Sequence, residues 1–184
     1  MNRTRKALAI ATILGVALTL SACSTGGMDP NMDMGDSSPS NSAESAVGFN
    51  TADVSFATQM SIHHSEAVEM AQLMLDKPDI DPRVSALAQQ IKDAQAPEIE
   101  QLNMWMTEWG AGEMIGMDMG GGTMSDGDMS ALSAAVGVEA SRLFLQQMIV
   151  HHEGAIAMAQ IQLAGGEHAG ALAMAQQIID AQTA

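Results

Sequence analysis

A single cysteine, no tyrosine, two tryptophans and three phenylalanines among 184 residues exclude several kinds of protein at once. With Cys23 alone, neither an intrachain disulfide nor a thiolate zinc cluster can form, so any soft-metal chemistry falls to methionine and histidine. Basic residues are equally scarce. Arg3, Arg5 and Lys6 lie at the extreme N-terminus, leaving Lys77, Arg83, Lys92 and Arg142 against 22 acidic residues, a net of −18. Nucleic-acid affinity comes from Lys and Arg neutralising phosphates, so this surface repels DNA and RNA and draws cations. What the chain has in excess is methionine, seventeen residues, far more than an ordinary core requires.

The N-terminus reads as an address. After the basic Arg3, Arg5 and Lys6 comes an apolar run over residues 7–20, then Leu20-Ser21-Ala22-Cys23, a small-residue cleavage site ending in Cys. This resembles a bacterial lipobox, which implies cleavage after residue 22, lipid on the Cys23 sulfur and a protein held outside the cytoplasm at the membrane surface. An uncleaved transmembrane anchor fits less well, because residues 7–22 fall short of the ~20 needed to span a bilayer. Residues 23–48 are Ser, Gly, Asp, Asn, Pro and Met with almost no branched apolar residue, the composition of a disordered tether.

An internal repeat organises residues 49–184. Phe56-x-x-x-Met60-x-x-His63-His64-x-x-Ala67-x-x-Met70-Ala71-Gln72 recurs 88 residues later as Phe144-x-x-x-Met148-x-x-His151-His152-x-x-Ala155-x-x-Met158-Ala159-Gln160. Gln89-Gln90-Ile91-x-Asp93-Ala94-Gln95 recurs at an offset of 87 as Gln176-Gln177-Ile178-x-Asp180-Ala181-Gln182. The repeated unit, about 50–109 and 138–184, is a helical hairpin. Apolar residues return at three and four in segments rich in Ala, Met, Leu, Gln and Glu, which makes helix the better reading than strand. Asn50 or Thr51 can cap the first helix, Lys77-Pro78 ends it, and Asp81-Pro82 supplies a cap with proline at the first helical position. Pro97 inside the second helix removes a backbone donor, so a kink is expected one turn before it. Gly165-Gly166 stops the third long helix and another starts near Glu167. The halves are joined by a Gly- and Met-rich linker, 110–129, and a short helical piece near 130–136. Two antiparallel hairpins predict an all-α fold, a four-helix bundle.

At about 100° per residue, Phe56, Met60, His63, Ala67, Met70 and Met74 share one face, as do Phe144, Met148, His151, Ala155 and Met158. His63 and His151 therefore point at the core, with His64 and His152 at the edge of the stripe. A methionine at helical spacing is ordinarily core filler, and a lone histidine on an apolar face is ordinarily structural. A duplicated His-His, flanked by Met on both sides, favours a ligand set. On the second helix Leu87, Ile91, Gln95, Glu98, Leu102, Trp105 and Trp109 form one stripe, placing a carboxylate and an amide on the apolar face. A buried carboxylate needs a partner, and a histidine N–H from the first helix suits Glu98, with Gln95 beside it, as support behind a metal ligand.

Met32, Met34, Met104, Met106, Met114, Met117, Met119, Met124 and Met129 cluster at short spacing, mostly in Gly-rich segments where core filling is not expected. Thioether sulfur is soft and uncharged, which suits Cu(I) and suits Zn, Mg or Ca poorly. An oxidant sink, with Met sulfoxide as product, and low-complexity drift are the alternatives.

Taken together, the duplicated Phe-x-x-x-Met-x-x-His-His-x-x-Ala-x-x-Met-Ala, with Asn50 and Asp53 before it and Gln95, Glu98 and Ile99 after it, resembles the DUF305 family over about residues 48–184. The resemblance implies a ferritin-like bundle outside the cytoplasm, with copper binding in some members. Two departures stand out. Ala140-Ser141-Arg142 occupies the place of the family's Phe-Asp pair, and the chain stops at Ala184, before any counterpart of Glu98, so the two halves are not expected to form equivalent sites.

The expectation is a lipid-anchored, non-enzymatic protein that sequesters or hands on copper, Cu(I) favoured. Its expected ligands are Met60, His63, His64, Met70, Met148, His151, His152 and Met158 in the bundle, with Met117, Met119 and Met124 in the linker. A di-iron oxidase needs Glu-x-x-His on two helices, and no such motif occurs. A scaffold lipoprotein with purely structural histidines is the remaining competitor.

Overall fold

A computed structural model describes residues 48–114 and 124–183. The leader, Cys23, most of the tether, Met117 and Met119 lie outside the described residues. The elements are α1 (Thr51–Leu75), α2 (Pro82–Glu108), a 3₁₀ turn (Gly112–Met114), α3 (Asp126–Ala134), α4 (Gly137–Gly165) and α5 (Ala169–Thr183). The fold is an all-α bundle. Among the described residues no helix is long and apolar enough to cross a membrane. α1 packs against α2 and α4, and α4 against α5.

The helix ends follow their local chemistry. Asn50 caps α1 through a capping box: its side-chain oxygen accepts from the Ala52 and Asp53 N–H groups at 2.8 and 3.2 Å, and its own N–H donates to Asp53 Oδ2 at 2.8 Å. Asp81 caps α2, with Pro82 at the first position. α2 runs on through Pro97 to Glu108. α3 begins at Asp126, inside the expected linker, because the Ser125 side chain accepts from the Asp128 N–H and starts the helix there. The last helix begins at Ala169, two residues after the expected Glu167, where the 87-residue offset from Pro82 falls; the Glu167 and His168 amides ahead of it are taken by Asp53.

Asp53 joins three helices. Fully buried, its carboxylate accepts from Asn50 N–H on α1, from the Gln162 side chain on α4, and from the Glu167 and His168 N–H groups that open α5. Burial alone would raise its pKa, but the Glu167, Asn50, Gln162 and His168 hydrogen bonds together outweigh that and hold it below the usual carboxylate value. Gly166 leaves room beside it: a Cβ there would crowd the Gln162 side-chain amide and lie 2.8 Å from Asp53 Oδ1, so Gln162 would have to move. Asp53→Asn, which keeps the shape but loses the charge facing these donors, should lower stability by about 2 kcal/mol in urea unfolding.

The core is divided. One apolar cluster gathers Phe56, Met60, Leu102, Trp105, Ala155 and Ile178 from all four long helices. The other gathers Met70, Val84, Ile91, Leu132, Phe144 and Met148 from α1, α2, α3 and α4, without α5. Along α1 and along α4 the paired histidines lie where one cluster gives way to the other.

Candidate metal centre

α1 and α4 carry the two His-His pairs into the middle of the bundle. The His63 and His151 rings face each other with centroids 3.6 Å apart and planes tilted by 34°. His64 and His152 follow at 6.4 and 6.5 Å from their chain neighbours. His63, His64 and His151 are fully buried; His64, at the edge of the stripe, meets Glu98 of α2. His152 is half-buried.

Imidazole nitrogens placed this way are costly. Both ring nitrogens of His63, His64 and His151, and Nδ1 of His152, have no hydrogen-bond partner among the described residues, although buried polar groups are as a rule satisfied. Burial pushes the His63 pKa down to about 2, reinforced by His151, His64 and His152. Burial and the neighbouring His152 and His64 push His151 down to about 4, and burial followed by His64 lowers His152 as well. His63, His151 and His152 are therefore neutral at pH 7, the form that binds metal.

Two carboxylates approach them. Glu98 Oε2 lies 2.9 Å from His64 Nε2, as the α2 stripe predicted. Glu66 Oε2 lies 3.5 Å from His151 Nε2. Both distances satisfy an ion pair if the imidazole is protonated, but neither contact is aligned as a hydrogen bond. Glu66 escaped the sequence reading, and its signal was available: it stands three residues after His63, where the second repeat has Gly154. Gln95 is buried with its Oε1 unpaired and does not touch a histidine through any hydrogen bond. Among the described residues no three His, Cys, Asp or Glu side chains converge closely enough to hold an ion by themselves.

Methionines stand before and after each histidine pair along its helix. Met60 and Met148, each one turn before its histidine pair, are buried in different core clusters. Met70 is fully buried in the second cluster, and Met158 packs on the first. Not every short-spaced methionine is spare sulfur, however. Met106 is wholly buried and its sulfur accepts from the Thr58 hydroxyl at 3.3 Å, while Met104 is exposed. Met124 and Met129 pack against the second core cluster, so core filling applies to them after all. The reason is α3, which folds back on α1 and α4 through Leu132 and a hydrogen bond from the Gln147 side chain to the Asp128 carbonyl at 3.0 Å.

A groove of about 410 Å³, bordered by Leu87, Ile91, Leu145, Met148, Ile149 and His152, opens beside the site where α5 ends. Its α2 residue Leu87 is exposed rather than core, in contrast to the expected stripe.

The fifth histidine, His168, lies apart from this centre. Its Nδ1 accepts from the Ala171 N–H at 3.1 Å, and its ring sits edge-on to Trp105 and Trp109, with centroids 5.1 and 5.0 Å away. It closes the end of α5 and belongs to structure.

Comparison with known proteins bears on this centre. Residues 53–184 match the profile of DUF305, a domain of unknown function. No curated protein matches. Among solved structures, a DUF305 protein from Streptomyces coelicolor is 30% identical, with a TM-score of 0.66 over 72% of this chain and 85% of that one. A DUF305 fragment from Deinococcus radiodurans is 27% identical, with a TM-score of 0.67 over 74% and 91%. CopM in its Cu(I)-bound form is 30% identical, with a TM-score of 0.61 over 71% and 87%; CopM is also known with Cu(II) and with silver.

Proposed function

The chain belongs to the DUF305 family, and from that premise we propose that it is an extracytoplasmic copper-binding protein, which sequesters or hands on the metal through His63, His64, His151 and His152 with Met60 and Met148. The observation that carries this is the unsatisfied imidazole pair. A protein that buries His63 and His151 in neutral form with none of their ring nitrogens hydrogen-bonded tolerates a penalty of roughly 1–3 kcal/mol for each unsatisfied group. A bound soft cation offsets part of it, because the lone-pair nitrogen of each ligating imidazole then acquires a partner. Histidines retained for structure alone would be expected to carry satisfied hydrogen bonds, as His168 does.

Donor type supports copper over harder ions. Neutral imidazole with thioether suits copper, and thioether-rich sets favour Cu(I); CopM, similar across most of both chains, is known in Cu(I), Cu(II) and silver complexes. The −18 charge beyond the leader concentrates cations around the bundle. The reading is non-enzymatic. Only Glu66 and Glu98 face the histidines among the described residues, both from the first hairpin, whereas ferritin-like oxidases present carboxylates from four helices. The leader and Cys23 support tethering of this activity to the outer face of the membrane by lipid.

Titration of the purified full chain with Cu(I) against a chromophoric chelator tests the reading. At pH 7 saturable, stoichiometric binding is expected, with Ag(I) competing and Zn(II) failing to compete. Binding no stronger than that of an unrelated acidic protein refutes it.

A further inference from the structure

The linker between the two halves returns to the bundle at a particular atom. The Met124 N–H donates to Glu66 Oε2 at 3.0 Å. The same oxygen stands 3.5 Å from His151 Nε2. The Met124 side chain is half-buried and packs on the cluster that contains Met148 and Phe144. One carboxylate oxygen therefore joins the end of a Met-rich linker to the outer side of the buried histidine pair.

The 3.5 Å separation is informative because no hydrogen bond spans it. Two ligand atoms bound to one ion at about 2.1 Å and a near-tetrahedral angle lie about 3.4 Å apart. His151 Nε2 and Glu66 Oε2 are thus spaced as neighbouring ligands of a single cation. A third donor is needed, and no other His, Cys, Asp or Glu among the described residues converges there. Met124 is fixed within reach by its own backbone hydrogen bond, and its three rotatable bonds let the thioether turn toward the ion. A set of one imidazole, one carboxylate and one thioether selects a soft or borderline cation over Mg or Ca.

We propose that Glu66, Met124 and the Nε2 side of His151 form a receiving position, at which a soft monovalent cation is first held before it passes to the buried His63–His151 pair. This rests on the copper reading above and specifies how the metal reaches the site. His151 is the shared wall: its ring faces Glu66 on one side and the His63 ring on the other. A neutral imidazole offers one lone pair, so the two positions are filled in turn rather than together, and the receiving position adds speed without adding capacity. The second repeat has no equivalent, since Gly154 stands where Glu66 would recur. The Glu66 carboxylate also offsets the charge of the arriving cation at the boundary of the apolar core.

The test measures loading kinetics of the full-length protein, with Cu(I) supplied as a chromophoric chelate and its transfer followed by stopped-flow absorbance. Met124→Leu keeps the packing and removes sulfur; Glu66→Gln keeps an acceptor for the Met124 N–H and removes the charge. Each should slow loading roughly tenfold while leaving final stoichiometry and melting temperature as in the parent protein. Met129→Leu, at a methionine packed on the same cluster but not tied to Glu66, should load at the parent rate. Parent-like rates in both Met124→Leu and Glu66→Gln overturn the receiving position while leaving the copper reading intact. Loss of stoichiometry in either overturns it too, by making these residues permanent ligands. Failure of the parent protein to bind Cu(I) overturns both readings together.

Discussion

Replacing His63 with Leu should stabilise the metal-free protein and abolish its tight copper binding. Leucine is close in volume and removes two ring nitrogens that are buried without a partner. Relieving an unsatisfied buried polar group is worth about 1–3 kcal/mol, which in a domain of this size raises the melting temperature by about 2–4 °C per kcal/mol. It also removes the ring that faces His151 at 3.6 Å. Copper affinity should fall at least 100-fold, since loss of a ligand costs more than the roughly 10- to 100-fold typical of residues that only support one. The paired outcome is what distinguishes a metal ligand from a structural histidine. Scanning calorimetry of the metal-free variant and chelator competition read the two halves separately. A variant that is less stable than the parent and binds copper as well would show that His63 is there to hold the core together.

Acid should unfold the metal-free protein well above the carboxylate range. His63 and His151 have folded pKa values depressed to about 2 and about 4, against about 6.5 in an unfolded chain. A depressed pKa means that the folded state refuses protons which the unfolded state accepts, so stability is complete above pH 6.5 and is lost as pH falls below it. Each such histidine contributes a slope approaching 1.4 kcal/mol per pH unit. Between pH 6.5 and 4.5 the two together remove about 5 kcal/mol, comparable with the whole stability of many domains. The His151 contribution levels off near pH 4 while that of His63 continues downward. Asp53, also depressed but a carboxylate, acts only below its ordinary value near 3.8 and leaves this window to the histidines. Urea unfolding at half-unit intervals from pH 7.5 to 4.5 gives the slope. In a His63→Leu, His151→Leu protein the slope should flatten, and an unchanged slope would place the acid sensitivity elsewhere. With copper bound the fall should be steeper, because protons then also displace the metal.

The duplication was legible because it lies in the order of residues. Two His-His motifs 88 residues apart, each with Met one turn before and another after, required no coordinates to be recognised as facing positions in paired hairpins. Helix identity, the Asn50 and Asp81 caps, the stop at Gly165-Gly166 and the approach of Glu98 to a histidine follow from spacing and from the cost of leaving backbone or carboxylate groups unpaired. Local periodicity also misled in definite places. Met106 looked like spare sulfur beside Met104 but fills the core, and Met124 and Met129 are drawn onto the bundle by α3.

By itself, then, the sequence determined the helical class, the two-fold repeat, the acidic balance and the residue types that meet at the centre, since all of these lie in composition and in the order of residues along the chain. Only the tertiary structure decided which of those residues meet. The 3.6 Å approach of His63 and His151, the joining of α1, α4 and α5 at Asp53, and the placing of Met124, Glu66 and His151 around one oxygen join residues 27 to 115 positions apart. Such contacts are set by how whole helix faces pack, and helical periodicity says which face a residue lies on but not what stands opposite it.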